Sequence, residues 1–373
     1  MTHRERWLNV MHFRPVDHVP DEEFGYWDET FPVWHEQGLP KEIDNNWIAD
    51  VFFGFAPRRY VPVNLGLIPG FEGGKVLEET DEHVITQTAE GITQITFKDG
   101  HSSIPRFLEF PIKDWESWKR FKERMDPEAP GRYPDNWDEI VPQLNAAEEP
   151  VVVGLGSLFG TFRNWVGFEN IAVMCMDQPD IIEDMVETHT NLVVKTLERA
   201  VRDVRIDAGA FWEDICFNHG CIISPAMFRR WLTPGYKRIT DFVKQAGCDV
   251  FYVDCDGNIM DVVEGWLEGG VNCMFPIEVA AGTSPHALRE KYGHEVLMLG
   301  GVNKRELAKD HAAIDAEIER LVPLVEDGGF IPHVDHRCPP DVSYDNYLYY
   351  LKRKRETFGI PEPAPWEERK GSN

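Results

Sequence analysis

The sequence lacks the features of exported, membrane-bound and disulfide-stabilised proteins. No apolar run reaches the roughly 18 residues that a membrane span needs, and the polar segment 1–6 is unlike the start of an export signal. The seven cysteines are scattered singly and form no C-x-x-C pair, which argues against a disulfide framework and a structural zinc ribbon. We therefore expect a cytoplasmic protein that has no contact with a membrane.

Basic residues are also scarce. The chain has 38 Lys and Arg against 64 Asp and Glu, a formal net charge of −26. Because binding to a phosphate backbone depends on clustered Lys and Arg, this charge opposes association with nucleic acid. We expect no nucleic-acid partner and interpret the excess charge as a solvated acidic surface.

Several catalytic motifs are missing. The sequence contains no G-x-x-x-x-G-K-[ST] phosphate loop, no G-x-G-x-x-G after a strand, no G-x-S-x-G nucleophile elbow and no H-E-x-x-H zinc motif. The glycine-rich stretch 154–157 lacks a third glycine and a phosphate-binding lysine, so it indicates a tight turn. Any chemistry must come from residues that the fold brings together.

Short apolar segments alternate with stretches of helical period in the second half of the chain. Six segments predict buried strands: 151–154, 207–212, 249–253, 271–275, 296–299 and 329–332. Helical patterns lie at 181–200, 224–246 and 304–325. This alternation indicates parallel βα units. With a further strand near 18–27, we predict an α/β fold of the (β/α)8 TIM-type barrel class, with a doubly wound sheet as the alternative.

Residues 45–135 interrupt this rhythm. Segments 76–82, 84–87 and 92–98 have the pattern of a β-meander, with Gly91 at one turn and Asp99-Gly100 closing the last strand. We interpret the excursion as an insertion that covers the barrel mouth. The chain is thus predicted to be one barrel domain over 1–360, followed by a flexible tail at 361–373.

Polar residues follow four of the predicted strands, at the end of a parallel barrel where catalytic residues project. They are Glu213, Asp214, Asp254, Asp256, Glu278 and His336. Asp254 and Asp256 are two residues apart and would share one side of the strand end, which a cation, a shared proton or a substrate ammonium group stabilises. For Asp256, a cap of the next helix remains an alternative. His336 could serve as a metal ligand or as a general acid or base.

The first sixty residues are dense in aromatic side chains, among them Tyr26 and Trp27. Such side chains could line an apolar pocket, although core or lid packing is the commoner reason for an aromatic stripe. We treat Tyr26 and Trp27 as candidate substrate-binding residues.

Several segments together suggest a family. They are 213–214, 223–228, 234–237, 254–258, 300–304, 328–331 and 339–341. Their order resembles the uroporphyrinogen decarboxylase superfamily, and the resemblance extends from Arg6 to about Phe358 and implies a TIM-type barrel. This superfamily also contains corrinoid-dependent methyltransferases that act on methylated amines, alcohols and aryl methyl ethers.

The resemblance is closer to the methyltransferase branch. True uroporphyrinogen decarboxylases carry an R-Q-A-G-R motif after the first strand, which binds the carboxylates of the substrate. Here residues 24–30 are acidic and aromatic and include no arginine, so they would repel a polyanionic porphyrinogen. Decarboxylation of that substrate is therefore not expected.

The methyltransferase branch holds zinc with an H-x-C-G-N segment and a distal cysteine. Alignment on Gly257 and Asn258 places Asp254 at that histidine and Asp256 at that cysteine, and His336 falls at the distal cysteine. The resemblance thus implies a zinc site of Asp254, Asp256 and His336, harder than a thiolate site and suited to polarise an oxygen.

The implied activity is transfer of a methyl group from an O-methylated small molecule, such as an aromatic ether, to the cobalt of a separate corrinoid protein, with zinc activating the leaving oxygen. A partner must carry the corrinoid, because the chain lacks the D-x-H-x-x-G cobalamin-binding sequence. A homodimer is a further possible assembly. The candidate catalytic residues are Asp254, His336 and Asp214, and the candidate substrate-binding residues are Glu213, Glu278, Tyr26 and Trp27.

Two other functions remain open. One is a metal-independent decarboxylase or lyase that acts on a small substrate, with His336 and Asp254 as acid and base. The other is a non-catalytic barrel that binds a ligand, which fold analogy alone does not exclude.

Overall fold

The computed structural model of the chain describes residues 1–98 and 105–370. The strands are β1 (Arg59–Tyr60), β2 (Lys75–Glu79), β3 (His83–Gln87), β4 (Thr93–Phe97), β5 (Arg106–Glu109), β6 (Val151–Gly156), β7 (Ala208–Trp212), β8 (Cys216–Phe217), β9 (Gly220–Cys221), β10 (Val250–Asp254), β11 (Cys273–Phe275), β12 (Leu297–Val302) and β13 (Phe330–Val334).

The helices surround these strands. They are α1 (His3–Met11), α2 (Thr30–Glu36), α3 (Asn46–Phe53), α4 (Trp115–Lys122), α5 (Trp137–Ala146), α6 (Gly160–Val166), α7 (Phe168–Asp177), α8 (Pro179–Thr196), α9 (Glu198–Asp203), α10 (Pro225–Trp231), α11 (Thr233–Val243), α12 (Val263–Glu268), α13 (Pro285–Tyr292), α14 (Lys304–Leu307), α15 (His311–Asp327), α16 (Tyr344–Phe358) and α17 (Trp366–Arg369). Among the described residues, every helix is too short or too polar to cross a membrane.

Within the described part of the chain, seven parallel strands form one curled sheet in the order β1-β6-β7-β10-β11-β12-β13. This order follows the chain without reversal, as in a barrel, whereas a doubly wound sheet reverses its order at a switch point. The six strands predicted after residue 150 are present as β6, β7 and β10 to β13, and β12 and β13 are buried throughout. The predicted parallel α/β architecture is confirmed.

The strand predicted near residues 18–27 is not formed as a regular strand. The segment makes one isolated parallel bridge, between Tyr26 and Cys338. Pro20 has no backbone N–H to donate, and the side chain of Glu23 replaces a ladder bond, because its Oε2 accepts from the backbone N–H of Val334 at 3.1 Å. The segment is therefore held against β13 largely by side chains.

Buried ion pairs connect segment 18–27 to α16. Nζ of the fully buried Lys354 lies 2.9 Å from Oδ1 of Asp21 and 2.8 Å from Oε1 of Glu23. Arg355 donates from Nε to Oδ2 of Asp21 at 2.9 Å. Buried charges are tolerated only in such pairs, so the position of the segment depends on α16.

The predicted helices are present, but each is divided. Segment 181–200 corresponds to α8 and α9, segment 224–246 to α10, α11 and a 3-10 turn, and segment 304–325 to α14 and α15. Two of the breaks have a local cause, because a new helix begins there. Pro234 lies in the first turn of α11. Asp310 caps α15, since its side chain accepts from the backbone N–H of Ala313 at 2.9 Å.

Strands β2 to β5 form a separate antiparallel sheet in chain order. This sheet lies in the segment where the sequence predicts an inserted meander, and its edge strands β2 and β5 are exposed along their lengths. Asp99 and Gly100, which were predicted to close the last strand of the meander, lie outside the described residues.

The segment that the sequence predicts to be a flexible tail contains α17. The ring of Trp366 packs on Phe52, with ring centroids 5.5 Å apart, and Arg369 donates from Nη2 to the carbonyl oxygen of Phe52 at 2.8 Å. This part of the tail therefore contacts α3, and residues 371–373 lie outside the described residues.

Candidate active site

The polar residues selected from the sequence converge at the carboxyl ends of the parallel strands. Asp254 is the last residue of β10 and is in register with Trp212 of β7 and Phe275 of β11. The backbone N–H of Glu213 donates to the carbonyl oxygen of Asp254 at 2.8 Å. The loops after these strands therefore begin at one level, which is where a parallel barrel places its catalytic residues.

His336 and Asp256 form a pair across this end of the sheet. Nε2 of His336 lies 2.9 Å from Oδ2 of Asp256. The other polar atom of each side chain, Nδ1 of His336 and Oδ1 of Asp256, is buried and has no hydrogen-bond partner among the described residues. Because unpaired buried polar atoms are costly, these two atoms are candidate contacts for a bound ligand.

An aromatic wall covers the pair. The ring of Trp27 stacks on His336 with centroids 5.3 Å apart and planes inclined by 22°, and Phe24 meets His336 edge-on at 5.6 Å. The guanidinium of Arg337 lies 5.8 Å from the ring centroid of Phe24 and 5.9 Å from that of Trp27. Trp27, predicted to bind substrate, is thus brought to His336.

Tyr26 lies elsewhere. Its side chain is fully buried, and its hydroxyl is 2.6 Å from that of Tyr347. Its ring packs against Trp34 and Phe53. Tyr26 therefore belongs to the hydrophobic core, whereas the ring of its neighbour Trp27 contacts His336 at the site.

Three carboxyl groups lie close together at the site. Burial, and then the charges of Asp256 and Asp214, raise the pKa of Asp254 well above its ordinary value, while Arg337 opposes the rise. Burial and the charge of Asp256 also raise the pKa of Asp214, against Arg163. A carboxyl group in such surroundings keeps its proton at a pH where an exposed one has lost it.

Arg163 on α6 holds Asp214. Its Nη1 donates to the backbone oxygen of Asp214 at 2.5 Å, and its Nη2 lies 3.6 Å from Oδ2 of that residue. Asp214 has a φ of 44°, in the left-handed region that non-glycine residues rarely adopt. Its Oδ1 accepts from the backbone N–H of Asp256 at 3.4 Å, so this strained turn ties the β7 loop to the β10 loop.

Glu213 points away from the site. Its side chain is 0% exposed, and its carboxylate accepts from the backbone N–H groups of Leu158, Phe159 and Gly160 at 2.7, 2.8 and 3.1 Å. The hydroxyl of Ser157 donates to the same group at 3.0 Å. Both oxygens are thus engaged in holding the loop that begins α6.

Glu278 is also engaged with the protein. Its Oε2 accepts from the backbone N–H of Gly257 at 2.8 Å, and its Oε1 accepts from Nζ of Lys304 at 2.7 Å. The backbone N–H of Lys304 donates to Oδ1 of Asp335, which immediately precedes His336, at 3.0 Å. Hydrogen bonds therefore connect the loops after β10, β11, β12 and β13 around the Asp256–His336 pair.

Sequence reasoning missed Arg163 and Lys304. Lys304 falls in the segment 300–304 that contributed to the family resemblance, so a signal was present there. Nothing in the sequence relates Arg163 to Asp214, because their contact depends on where α6 packs.

The zinc site predicted at Asp254, Asp256 and His336 stays a prediction. The described residues contain no group of three His, Cys, Asp or Glu side chains that could hold a metal ion. Nε2 of His336 and the carboxylate of Asp256 contact each other directly in this arrangement. We therefore derive no step through zinc.

Comparisons with known proteins agree with this architecture. The sequence profile described as uroporphyrinogen decarboxylase (URO-D) matches residues 85–356. A solved methyltransferase from Methanosarcina mazei is similar in fold, with a TM-score of 0.60 and 14% identity over 95% of this chain and 99% of that chain.

A second solved structure is too distant to support an argument. It is a B12-independent methionine synthase from Shewanella sp. W3-18-1, in complex with selenomethionine, with a TM-score of 0.32 and 12% identity over 58% of this chain and 65% of that chain. No curated protein matches the sequence significantly. The profile covers well over half of the sequence and includes Asp214, Asp254, Asp256 and His336, so the chain belongs to the uroporphyrinogen decarboxylase (URO-D) family.

Proposed function

We propose that the chain is a methyltransferase that takes a methyl group from an O-methylated small molecule, with an aromatic ether favoured, and passes it to the cobalt of a separate corrinoid protein. The observation that carries this proposal is the convergence of Asp214, Asp254 and the Asp256–His336 pair beneath the ring of Trp27. The similarity in fold to a methyltransferase supports the same reaction type.

The aromatic wall favours an aromatic substrate. Phe24 and Trp27 offer ring faces against which a second aromatic ring can stack. Nδ1 of His336 and Oδ1 of Asp256, which lack partners among the described residues, are suited to bind a hydroxyl group on such a ring. Arg337 beside them would attract a carboxylate substituent.

In this mechanism Asp254 protonates the leaving oxygen. The carbon–oxygen bond of the ether breaks, its electron pair stays on the oxygen, the proton of the Asp254 carboxyl group moves to that oxygen, and the methyl group passes to the corrinoid substrate. Without the proton, the leaving group would be a strongly basic anion, so a positioned acid accelerates the step. The Asp254 carboxylate left behind is stabilised by Arg337 and regains a proton from solvent.

The other site residues position this acid. Asp214 and Asp256 are the negative neighbours that favour a protonated Asp254, and Arg163 fixes Asp214. Glu278 and Lys304 fix Gly257 and therefore Asp256. Glu213 holds the neighbouring loop from inside the core.

A methyl-transfer assay tests the proposal. The purified protein is incubated with reduced cobalamin and, separately, with methoxylated benzoates, methanol or methylated amines, and methylcobalamin is followed by absorbance. We expect methylcobalamin with methoxylated benzoates, and about a 100-fold lower rate for Asp254→Asn. Asp241→Asn, a change at an exposed ion pair on α11, is the matched control and should leave the rate unchanged. An unaffected Asp254→Asn, or transfer from methylated amines alone, would overturn the proposal.

The second candidate is a metal-independent decarboxylase or lyase. The pairing of His336 with Asp256, next to the enclosed carboxyl group of Asp254, favours it, because the two groups could act as base and acid. The product separates the two candidates: a lyase consumes a substrate without cobalamin, whereas the methyltransferase forms no product when cobalamin is left out.

A further inference from the structure

Four of the seven cysteines lie beside the candidate active site as free thiols. Cys216 is in β8 and Cys221 is in β9, and the thiol of Cys216 lies close enough to those of Cys221 and Cys255 for both to raise its pKa. Burial, and then the nearby Cys221, raise the pKa of Cys175 on α7. The function proposed above uses none of these thiols.

The pairing of β8 with β9 places Cys216 and Cys221 within reach of a disulfide bond. Cys216 is directly opposite Cys221 in the antiparallel ladder. Opposed residues in such a ladder have Cα atoms about 4.5–5.5 Å apart, and disulfides form between Cα atoms about 4.4–6.8 Å apart. Forming the bond therefore requires no large movement of the backbone.

The thiols of Cys216, Cys221 and Cys255 differ in their exposure to solvent. Cys221 is partly exposed, whereas Cys216 is 4% and Cys255 1% exposed. A small oxidant in solution reaches Cys221 first. Cys216 lies directly opposite it in the same hairpin, as a thiol that can attack the modified sulfur.

We infer that Cys216 and Cys221 form a dithiol site that a low-molecular-weight disulfide, such as glutathione disulfide, oxidises to an intramolecular disulfide. The thiolate of Cys221 attacks one sulfur of the oxidant, whose S–S bond breaks and releases one thiol. The thiolate of Cys216 then attacks Sγ of Cys221 and releases the second thiol. The cysteines lose two protons and two electrons in total, and the oxidant becomes two thiols.

The hairpin is packed against the loop that carries Asp256. The backbone N–H of Asn258 donates to the carbonyl oxygen of Phe217 at 2.9 Å. Gly257, at a φ of +89°, approaches the hairpin so closely that an added Cβ would lie 2.7 Å from the carbonyl carbon of Cys216. Because the hairpin contacts this loop, even a small shift of the hairpin on oxidation reaches Asp256 and alters catalysis. This effect on catalysis rests on the proposed function, whereas the dithiol site itself does not.

Peptide mass analysis tests the dithiol site independently of activity. The reduced full-length protein is incubated with glutathione disulfide, remaining thiols are alkylated, and the protein is digested with trypsin. Cys216 and Cys221 share the tryptic peptide 206–229, while Cys255 lies in the peptide 245–289. We expect peptide 206–229 to lose the mass of two hydrogen atoms, to escape alkylation, and to return to the reduced form with dithiothreitol.

Variants complete the test. Cys221→Ser and Cys216→Ser should both abolish the internal disulfide, and Cys221→Ser should keep the activity of the reduced wild type, whatever that activity is. Cys248→Ser, a change at a buried cysteine outside this cluster, should leave the disulfide unchanged and serves as the matched control. Peptide 206–229 alkylated at both cysteines after oxidation, stably bound to glutathione, or cross-linked to peptide 245–289 would overturn the inference.

Discussion

Nε2 of His336 lies 2.9 Å from Oδ2 of Asp256, which joins the loop after β13 to the loop after β10. If this pair acts as a unit, His336→Asn and Asp256→Asn will each slow methyl transfer, and the double variant will lose less than the sum of the two. We expect a coupling of about 0.5–3 kcal/mol from the rates of the four proteins. The exposed pair of His294 and Asp327, at 3.0 Å, provides control variants that should not change the rate. Additive losses at His336 and Asp256 would contradict the pairing.

The pKa of Asp254, raised by burial and then by Asp256 and Asp214, predicts a loss of activity as pH rises. An acid catalyst works only while it is protonated, so kcat should fall as pH passes through the raised pKa. The rate measured from acidic to alkaline pH checks this. A rate that rises through the same range would assign the limiting step to a base instead.

Asp254 should also make stability depend on pH. The folded state keeps a proton that the unfolded state loses above about pH 3.9, so the contribution of this group to stability falls as pH rises from there to the folded pKa. Asp254→Asn removes that loss, and the variant should therefore gain stability over the wild type at about pH 8 relative to about pH 4. Thermal unfolding at the two pH values measures the gain, and an equal difference at both would contradict it.

Burial, aided by Arg132, lowers the pKa of His189 to about 4. The unfolded state binds a proton at this histidine below about pH 6.5 while the folded state does not, so stability should fall as pH falls from 6.5 to 4. The contribution is about 1.4 kcal/mol per pH unit. His189→Gln should reduce this slope in urea unfolding experiments, and His294→Gln, at an exposed surface position, should not. An unchanged slope in His189→Gln would show that the histidine is protonated in the folded state.

Removing the buried carboxylate of Glu213 should lower the stability of the folded protein. Glu213→Ala leaves three backbone N–H groups and the hydroxyl of Ser157 without their shared acceptor, and we expect a loss of free energy of unfolding of at least about 1–3 kcal/mol, the cost of one buried donor left unsatisfied. Glu213→Gln keeps one acceptor oxygen and should cost less. Chemical unfolding of both variants measures this, and a small loss in Glu213→Ala would show that water replaces the carboxylate.

Elemental analysis tests whether the leaving oxygen is activated by Asp254 alone. The arrangement of the three predicted ligands leads us to expect far less than one zinc per chain after dialysis, with no difference between the wild type and His336→Ala. Stoichiometric zinc that disappears in Asp254→Ala and His336→Ala would instead make Asp254 a ligand, as the sequence predicts, and would remove its role as the acid.

The sequence predicted the parallel strands well and the site only in part. Strands such as β12 and β13 are buried on both faces, so they appear as continuous apolar runs with little ambiguity. The positions of Asp254 and His336 follow from their place after such strands. Tyr26 could not be assigned in the same way, because it lies in an irregular segment where alternation does not fix which side chain faces the site.

Side-chain contacts between distant segments were beyond sequence reasoning. Glu213 was selected as a strand-end carboxylate, but only the packing of α6 shows that it faces Leu158 and Phe159. Arg163 was not selected at all, since its partner Asp214 is 51 residues away in the chain. The divided helices were missed because the periodic apolar pattern continues across the breaks at Pro234 and Asp310.

The ion pairs of Asp21 and Glu23 with α16 determine which part of the chain can fold first during synthesis. Phe24 and Trp27 are synthesised long before Lys354, the side chain that neutralises the charges next to them. Until then those carboxylates stay hydrated, because a buried charge without its partner is strongly unfavourable. The aromatic wall of the site therefore forms only after α16 has been synthesised, and until then the rings of Phe24 and Trp27 are exposed to other contacts.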